Sequence, residues 1–387
     1  MMKTYRVGGA VRDTLLGIAV KDVDYVVVGS SPEQMLAAGF TPVGKDFPVF
    51  LHPDSKEEYA LARTERKSAP GYHGFIFHCS PDVTLDQDLQ RRDLTINAMA
   101  VADDVNADQS IIDPFGGQRD LADKVLRHVS EAFSEDPVRI LRLARFAARF
   151  EQFSVAPETM RLMSAMVESG EVDALVPERV WQELARGLME TRPSRMLQIL
   201  HDTGALKRIL PEIDQYIDCV DTPLLRSVDF AAQQQQSLAV RWATLCVEIS
   251  HRDDARIDSV LGISNRLKLP TEVRDIAFTA CREYRNLKHI ADMSAEMLVN
   301  FIERCDALRR PARFIETLQA IRCHYLLTPR DFPQQALLEQ ALLAMQSISN
   351  GAIAQRVSQQ FPNQPHRIAE YIFEARVAAV RHLTGHK

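Results

Sequence analysis

Two aspartates, Asp22 and Asp24, stand two positions apart, followed by the run Tyr25-Val26-Val27-Val28. The run is β-branched and reads as a strand over residues 22–28. Positions i and i+2 of a strand share a face, so the two carboxylates are expected side by side. Adjacent carboxylates repel unless a cation neutralises them. Hard oxygen donors of this kind suit Mg²⁺, with substrate phosphates completing the shell. Two such ions about 3.5–4 Å apart would activate an attacking hydroxyl and stabilise a leaving phosphate oxygen. In isolation the pair would look the same as an acidic strand end at the surface. The segment just upstream sharpens it.

There, Gly8-Gly9 follows a strand over residues 3–7 and opens a helix over residues 10–16 that carries Arg12 and Asp13. A glycine pair lets the backbone approach a ligand closely. A helix N-terminus offers free N–H groups and a positive dipole end to an anion. Arg12, one turn in, could add a charged fork for phosphate oxygens. The spacing matches neither a Walker loop nor a G-x-G-x-x-G fingerprint.

Gly8-Gly9-Ala10-Val11-Arg12-Asp13 followed by Asp22-Val23-Asp24 resembles the start of a class II nucleotidyltransferase of the polymerase-β superfamily. That group comprises the tRNA CCA-adding enzymes and bacterial poly(A) polymerases. The resemblance implies that Asp22 and Asp24 hold the catalytic metals and that Gly9 and Arg12 cradle a triphosphate. Arg91-Arg92-Asp93-Leu94-Thr95-Ile96-Asn97-Ala98 resembles the second family motif. Its arginines supply cations for a triphosphate, and Asp93 and Asn97 could hold a ribose hydroxyl, which favours a ribonucleotide. Arg92, Asp93 and Asn97 are therefore expected to position the nucleotide. Asp113-Pro114-Phe115-Gly116-Gly117 with Asp120-Leu121 resembles the third motif, a hinge with no chemistry assigned to it.

Glu135-Asp136-Pro137-Val138-Arg139 resembles the start of the fourth motif, which continues through Arg142 and Arg145. Asp136 lies just before a helix, and the arginines follow at i+3 steps along one face. The resemblance implies that Asp136 and Arg139 hydrogen-bond the base edge of CTP or ATP, with Arg142 and Arg145 toward phosphate or toward that base-reading pair. Glu178-Arg179-Val180-Trp181-Gln182-Glu183 resembles a fifth motif that braces the neck by ion pairing. Glu58 could add a third carboxylate to the metal site, and is equally plausible as a surface residue.

Residues 64–74 are similar to the flexible loop that CCA-adding enzymes need to switch from C to A, and residues 45–50 also point to the CCA-adding branch. Poly(A) polymerases usually carry a basic C-terminal extension, whereas the tail here is only modestly basic, with Arg367, Arg376, Arg381 and Lys387 against Glu370 and Glu374. The expected activity is addition of CCA to the 3′ end of tRNA from CTP and ATP, with release of pyrophosphate. The alternatives are poly(A) polymerisation or partial, CC- or A-only, addition. A catalytically dead RNA-binding relative would break the Asp22/Asp24 pair. A transferase acting on a small molecule or a protein would lack the long helical part.

The elements that must position these groups change character near residue 130. Before it, further strands are expected over residues 47–51 and 57–62. After it the pattern turns helical, with Pro137 near a helix start and Ile140, Leu141, Ala144, Ala147 and Ala148 at helical spacing. The fold class is α+β: a polymerase-β-like head over residues 1–130, a helical neck over 131–215, and a helical, tRNA-binding body and tail over 216–387. At 387 residues, with 46% hydrophobic and 25% charged residues, the chain has a globular composition. Net charge is -6, so any nucleic acid must be held by local basic patches.

No apolar run approaches the roughly 18 residues of a membrane span, and no signal peptide is visible. The six cysteines (Cys79, Cys219, Cys246, Cys281, Cys305 and Cys323) form no C-x-x-C pair and read as reduced thiols of a cytoplasmic protein. No obligate protein partner is expected.

Many relatives in this group carry a metal-dependent HD phosphohydrolase domain in the helical half. Here Leu245-Cys246-Val247-Glu248 stands where its His-Asp pair would be expected. His201-Asp202 lies upstream, in a helix used for packing, and His251-Arg252-Asp253-Asp254 reads as a polar turn. An assay for 2′,3′-cyclic phosphate hydrolysis with Ni²⁺ or Mg²⁺ is expected to show no activity; clear turnover would overturn this reading.

Overall fold

The computed structural model of the chain describes residues 2–43, 49–67, 75–104, 110–218, 222–252, 257–325 and 332–384. They form two compact units, Met1–Gly187 with Arg195–Pro211, and Leu188–Ser194 with Glu212–Lys387. Residues 1–130 and nearly all of 131–215 fall in the first.

The first unit is built on a mixed sheet. Its strands are β1 (Lys3–Val7), β2 (Asp24–Val28), β3 (Thr41–Val43), β4 (Val49–Leu51), β5 (Glu58–Leu61) and, after a β6–β7 hairpin (Thr64–Lys67 and Phe75–His78), β8 (Ala100–Ala102). The spatial order is β3-β4-β5-β2-β1-β8. β1 and β2 are antiparallel with Val7 opposite Asp24, while β2 and β5 are parallel with Val26 opposite Ala60. β2 is central and covered on both faces, which is why its valines run on instead of alternating with polar residues. Val26 joins Val7, Ala62, Ala98, Ala100 and Leu89 on one face. Val27 joins Phe50, Tyr59, Leu61, Met35 and Phe40 on the other.

β2 is shorter than the strand expected over residues 22–28. Asp24 is its first residue, and Asp22 lies outside the ladder. The cause is on the neighbouring strand: β1 ends at Val7, and the chain turns at Gly8 with φ 67, so no partner remains for Val23 or Asp22.

Helix α1 (Gly9–Leu15) follows that turn, α2 (Pro32–Ala37) covers the sheet, and α3 (Leu85–Gln90) begins at a capping box made by Thr84 and Gln87. A single 3-10 turn spans Thr95–Asn97, and α4 (Gly117–Ala122) packs on it. Asp113 accepts from the backbone N–H groups of Gly117 and Gln118 at 2.7 and 2.9 Å and so caps α4. The short parallel pair β9 (Val125–Leu126) and β10 (Ser154–Val155) precedes and follows α5 (Val138–Arg149). Pro137 stands immediately before α5, matching the helix start read from the sequence. Helices α6 (Pro157–Glu168), α7 (Pro177–Leu188), α8 (Pro193–Asp202), α9 (Ala205–Ile209) and α10 (Pro211–Asp214) follow.

The second unit is helical among the described residues. It comprises α11 (Pro223–Gln233), α12 (Leu238–Arg252), α13 (Ile257–Arg266), α14 (Thr271–Glu283), α15 (Ala295–Arg304), α16 (Pro311–Tyr325), α17 (Pro333–Gln346), α18 (Asn350–Gln360) and α19 (His366–Val380). α12 packs against α11, α14 and α16 around the buried Trp242, and α19 packs against α15, α17 and α18. Among the described residues, no helix is long and apolar enough to cross a membrane.

The third motif is packed as well as turned. Gly116 takes the left-handed conformation with φ 75. A Cβ at Gly117 would strike the Thr95 carbonyl oxygen and the Met99 side chain. Gly117→Ala is expected to cost about 1–3 kcal/mol, the range for overpacking a tight contact. A lower denaturant midpoint at unchanged slope would show it.

Candidate active site

The site gathers around the turn between β1 and α1. Gly8 needs its positive φ, and a Cβ there would lie 3.0 Å from Arg92 Nη1. Gly9 is less constrained, since its added Cβ would meet Arg12 Nη2 at an ordinary 3.5 Å. The glycine that the geometry demands is therefore Gly8. Arg92 is held over the turn by Asp88, whose Oδ2 accepts from Nη2 at 3.2 Å. The Nε of Arg92 is buried without a hydrogen-bond partner among the described residues. Asp88 also accepts from Arg91 at 2.8 Å. Burial pushes the Asp88 carboxyl upward, but Arg91 and Arg92 outweigh it and hold it below the usual range.

Asp24 sits across from Val7, at the mouth of this turn, and both Asp22 and Asp24 are exposed. Continuing the β2–β5 register by one step places the exposed Glu58 beside Asp24 on the same sheet face. No three His, Cys, Asp or Glu side chains among the described residues gather closely enough to hold a metal by themselves. The donor set thus offers hard carboxylate oxygens from Asp22 and Asp24. It fits a divalent ion whose remaining ligands come from substrate and water.

Behind the turn lies a set of buried polar groups. Arg12 departs from the expectation of a solvent-facing phosphate fork. It is 3% exposed, its Nε donates to Asp13 Oδ1 at 2.8 Å, and its Nη1 donates to Asn97 Oδ1 at 2.5 Å. Its guanidinium carbon lies 5.2 and 5.3 Å from the Phe146 and Phe150 ring centroids. The reason is the docking of the two-turn α1 onto the aromatic face of α5. Burial lowers the Arg12 pKa, and Asp13 opposes the shift. Asp13 also accepts from Arg149 Nη2 at 2.9 Å.

Asp93 is buried too. Its Oδ1 accepts from Leu94 N at 2.8 Å and Asn97 Nδ2 at 3.0 Å, and its Oδ2 from Arg142 Nε at 2.8 Å. Burial alone would raise the Asp93 pKa; the Arg142 charge and the hydrogen bonds from Asn97 and Arg142 overcome it and hold the carboxyl far below the usual range. The charge of Asp93 in turn raises the Arg142 pKa.

The four residues of the expected base-reading helix part company. Asp136 caps α5 through Val138 N at 3.0 Å and pairs with Arg179 at 3.0 Å. Arg139 is buried and donates to the carbonyls of Ala132 and Arg91, both at 2.6 Å. Arg142 goes to Asp93, and Arg145 to Glu183 at 2.7 Å. The three arginines leave one helix face for four different partner residues. Asp13, Asp88, Arg149 and the partner roles of Arg179 and Glu183 complete the site and carry no binding role in the sequence reading. Asp88 had a local signal, standing one turn before Arg91 and Arg92. Arg149 had only its position two turns beyond Arg142.

In the second unit Glu248 is buried and pairs with His324 at 2.7 Å. His201 and Asp202 lie in α8 of the first unit. Asp253 and Asp254, residues 68–74 of the expected switching loop, residues 45–48 and Cys219 fall outside the described residues.

Residues 4–127 match the family described as "Poly A polymerase head domain". Residues 152–217 match "Probable RNA and SrmB- binding site of polymerase A". The multifunctional CCA protein of Janthinobacterium sp. (strain Marseille) is 54% identical, over 98% of this chain and 97% of its own. This chain belongs to the multifunctional CCA protein family. Among solved structures, the chain is similar to the Bacillus stearothermophilus CCA-adding enzyme in complex with CTP, with TM-score 0.71 and 23% identity over 97% of this chain and 89% of that one. It is also similar to the Thermotoga maritima CCA-adding enzyme complexed with tRNA, with TM-score 0.68 and 23% identity over 100% of this chain and 89% of that one. Both share with this family member the α+β head and helical remainder.

The depressed pKa of Asp93 has a sign that can be checked. An unfolded aspartate titrates near pH 3.9, so the stability this carboxylate adds is complete above about pH 5. It is lost as pH falls through the lower, folded value. Asp93→Asn is expected to be less stable at neutral pH and to show a flatter fall in stability below about pH 4. Denaturant titrations at several pH values measure both.

Proposed function

We propose that this chain adds C, C and then A to the 3′ end of tRNA, using CTP and ATP without a nucleic-acid template and releasing pyrophosphate. The observation that supports the reading is Asp24, exposed opposite Val7 where β1 ends at the Gly8 turn, with Asp22 exposed two residues before it, in a chain of the multifunctional CCA protein family.

Asp22 and Asp24 would hold divalent ions, Mg²⁺ in our reading, which supply charge neutralisation at the triphosphate and activate the tRNA 3′-hydroxyl. The residues do the rest by positioning. Gly8 opens space at the turn, Gly9 leads into α1, and Arg92 brings a cation braced by Asp88 to the phosphates. Arg12 shapes this floor from beneath. Asn97 and Asp93 stand for the sugar, held in one orientation by Arg12 and Arg142. Asp136 and Arg139 lie together at the start of α5, where an acceptor and a donor match a base edge. To meet a base, Arg139 exchanges its bonds to the Ala132 and Arg91 carbonyls, and Asp136 its bond to Arg179. Arg142 and Arg145 keep that helix end in place through Asp93 and Glu183. Most of the rate gain would come from orientation and electrostatics.

The cytoplasm suits the chain, none of whose described cysteines is in a disulfide. In the second unit, Glu248 is committed to His324, and we assign no hydrolase chemistry there.

The test is incubation with tRNA lacking its 3′ end, with CTP and ATP separately and together. Two C and one A followed by arrest is the expected product; a lengthening A tract would favour poly(A) synthesis instead. In the same assay Asp22→Ala is expected to lose more than about a thousandfold in rate with tRNA binding intact, as for removal of a metal ligand.

A further inference from the structure

The buried polar groups behind the Gly8 turn form a closed circuit that begins and ends on one helix. Arg142 and Arg149 stand two turns apart on α5, on one face. Arg149 donates to Asp13 Oδ2 at 2.9 Å, and Arg12 donates to Asp13 Oδ1 at 2.8 Å. Arg12 then donates to Asn97 Oδ1, Asn97 Nδ2 donates to Asp93 Oδ1 at 3.0 Å, and Arg142 closes the circuit on Asp93 Oδ2 at 2.8 Å. Arg12, Asp13, Asp93 and Asn97 are each less than a tenth exposed.

The circuit gives Asn97 a direction. A guanidinium has donors and no acceptor, so Arg12 must face the amide oxygen of Asn97. The amide NH₂ is then turned toward Asp93, as observed. Asp93, an acceptor, and Arg12, a donor, thus hold the two ends of the Asn97 amide, and without Arg12 the amide oxygen would lose its partner and the side chain half of what fixes it. What keeps Arg12 in place on its far side is Asp13, and Asp13 is held in turn by Arg149. Neither Asp13 nor Arg149 belongs to the groups that face the turn.

We propose that Asp13 and Arg149 are positioning residues for selection of the nucleotide sugar. They act through Arg12 to fix the Asn97 amide and the Asp93 carboxylate in the orientation that prefers a ribonucleotide. The inference rests on the reading above that Asn97 and Asp93 meet the sugar. A merely structural ion pair would change stability and leave the preference for ribose untouched.

The experiment compares CTP with dCTP on tRNA lacking its 3′ end, measuring kcat and KM together with the affinity of each nucleotide. The proteins are the wild type, Arg149→Met, Arg149→Lys and Asp13→Asn. Arg208→Met, which removes the exposed pair with Asp173, is the control. Arg149→Met and Asp13→Asn are expected to lower the preference for CTP over dCTP by about fivefold or more. Arg149→Lys restores most of it, and Arg208→Met matches the wild type.

An unchanged preference in folded Arg149→Met, whatever its melting temperature, would overturn the proposal. Arg149 is partly exposed, so this variant carries the test even if Asp13→Asn does not fold. A wild type that neither extends tRNA nor binds CTP would overturn the reading of function and this inference with it. An active wild type with an unaltered Arg149→Met removes this inference alone.

Discussion

A guanidinium stripped of water must find acceptors and π faces around it, and the first unit is arranged to supply them to Arg12. Leaving such a charge unpaired would cost several kcal/mol. Its acceptors come from α1 and from the Thr95–Asn97 turn, and its aromatic faces from α5. None of these three elements can satisfy it alone. Burying Arg12 therefore requires the glycine turn, the second motif and the start of the helical region to assemble together. Arg12 thus ties these elements together from within, while Asp22 and Asp24 stay exposed.

That division separates two kinds of charge. Asp22 and Asp24 are exposed carboxylates and so remain available to ions. Asp13, Asp88 and Asp93 are buried carboxylates, each enclosed by arginines. Buried pairs of this sort add little net stability relative to an apolar core, yet they permit few geometries. A site that must accept two different bases in turn gains from a floor that does not move. The residues at the start of α5 have partners that a ligand can replace, whereas those of the floor are surrounded on all sides.

The sequence was most legible where the signal is local. A glycine pair between a strand and a helix, a run of valines, and a proline at a helix start each act over a few residues. They placed β1, α1, β2 and α5. The end of β2 was harder, because it is set by where β1 stops, and the two strands are separated by α1. The burial of Arg12 was hard to read for a related reason. Nothing within α1 distinguishes an arginine facing a ligand from one facing Phe146 and Phe150, which lie far along the chain. The i+3 spacing of Arg139, Arg142 and Arg145 correctly put them on one helix. It said nothing of Arg91, Asp93 and Glu183, the partners that pull them apart. Arg179 was expected to brace the helical region, but its pairing with Asp136 spans too many residues for any pattern to reveal.

The sheet that carries Asp24 is open, and open sheets expose backbone at their borders. Here both borders are only three residues long, β3 and β8. Pro42 removes one N–H from the first, and Ile112 bonds both ways with Ala100 on the second. Among the described residues, a foreign strand would find short borders with some of their donors and acceptors removed or already used. The strand that begins at Asp24 thus sits in the middle of an open sheet whose described borders are short and partly occupied.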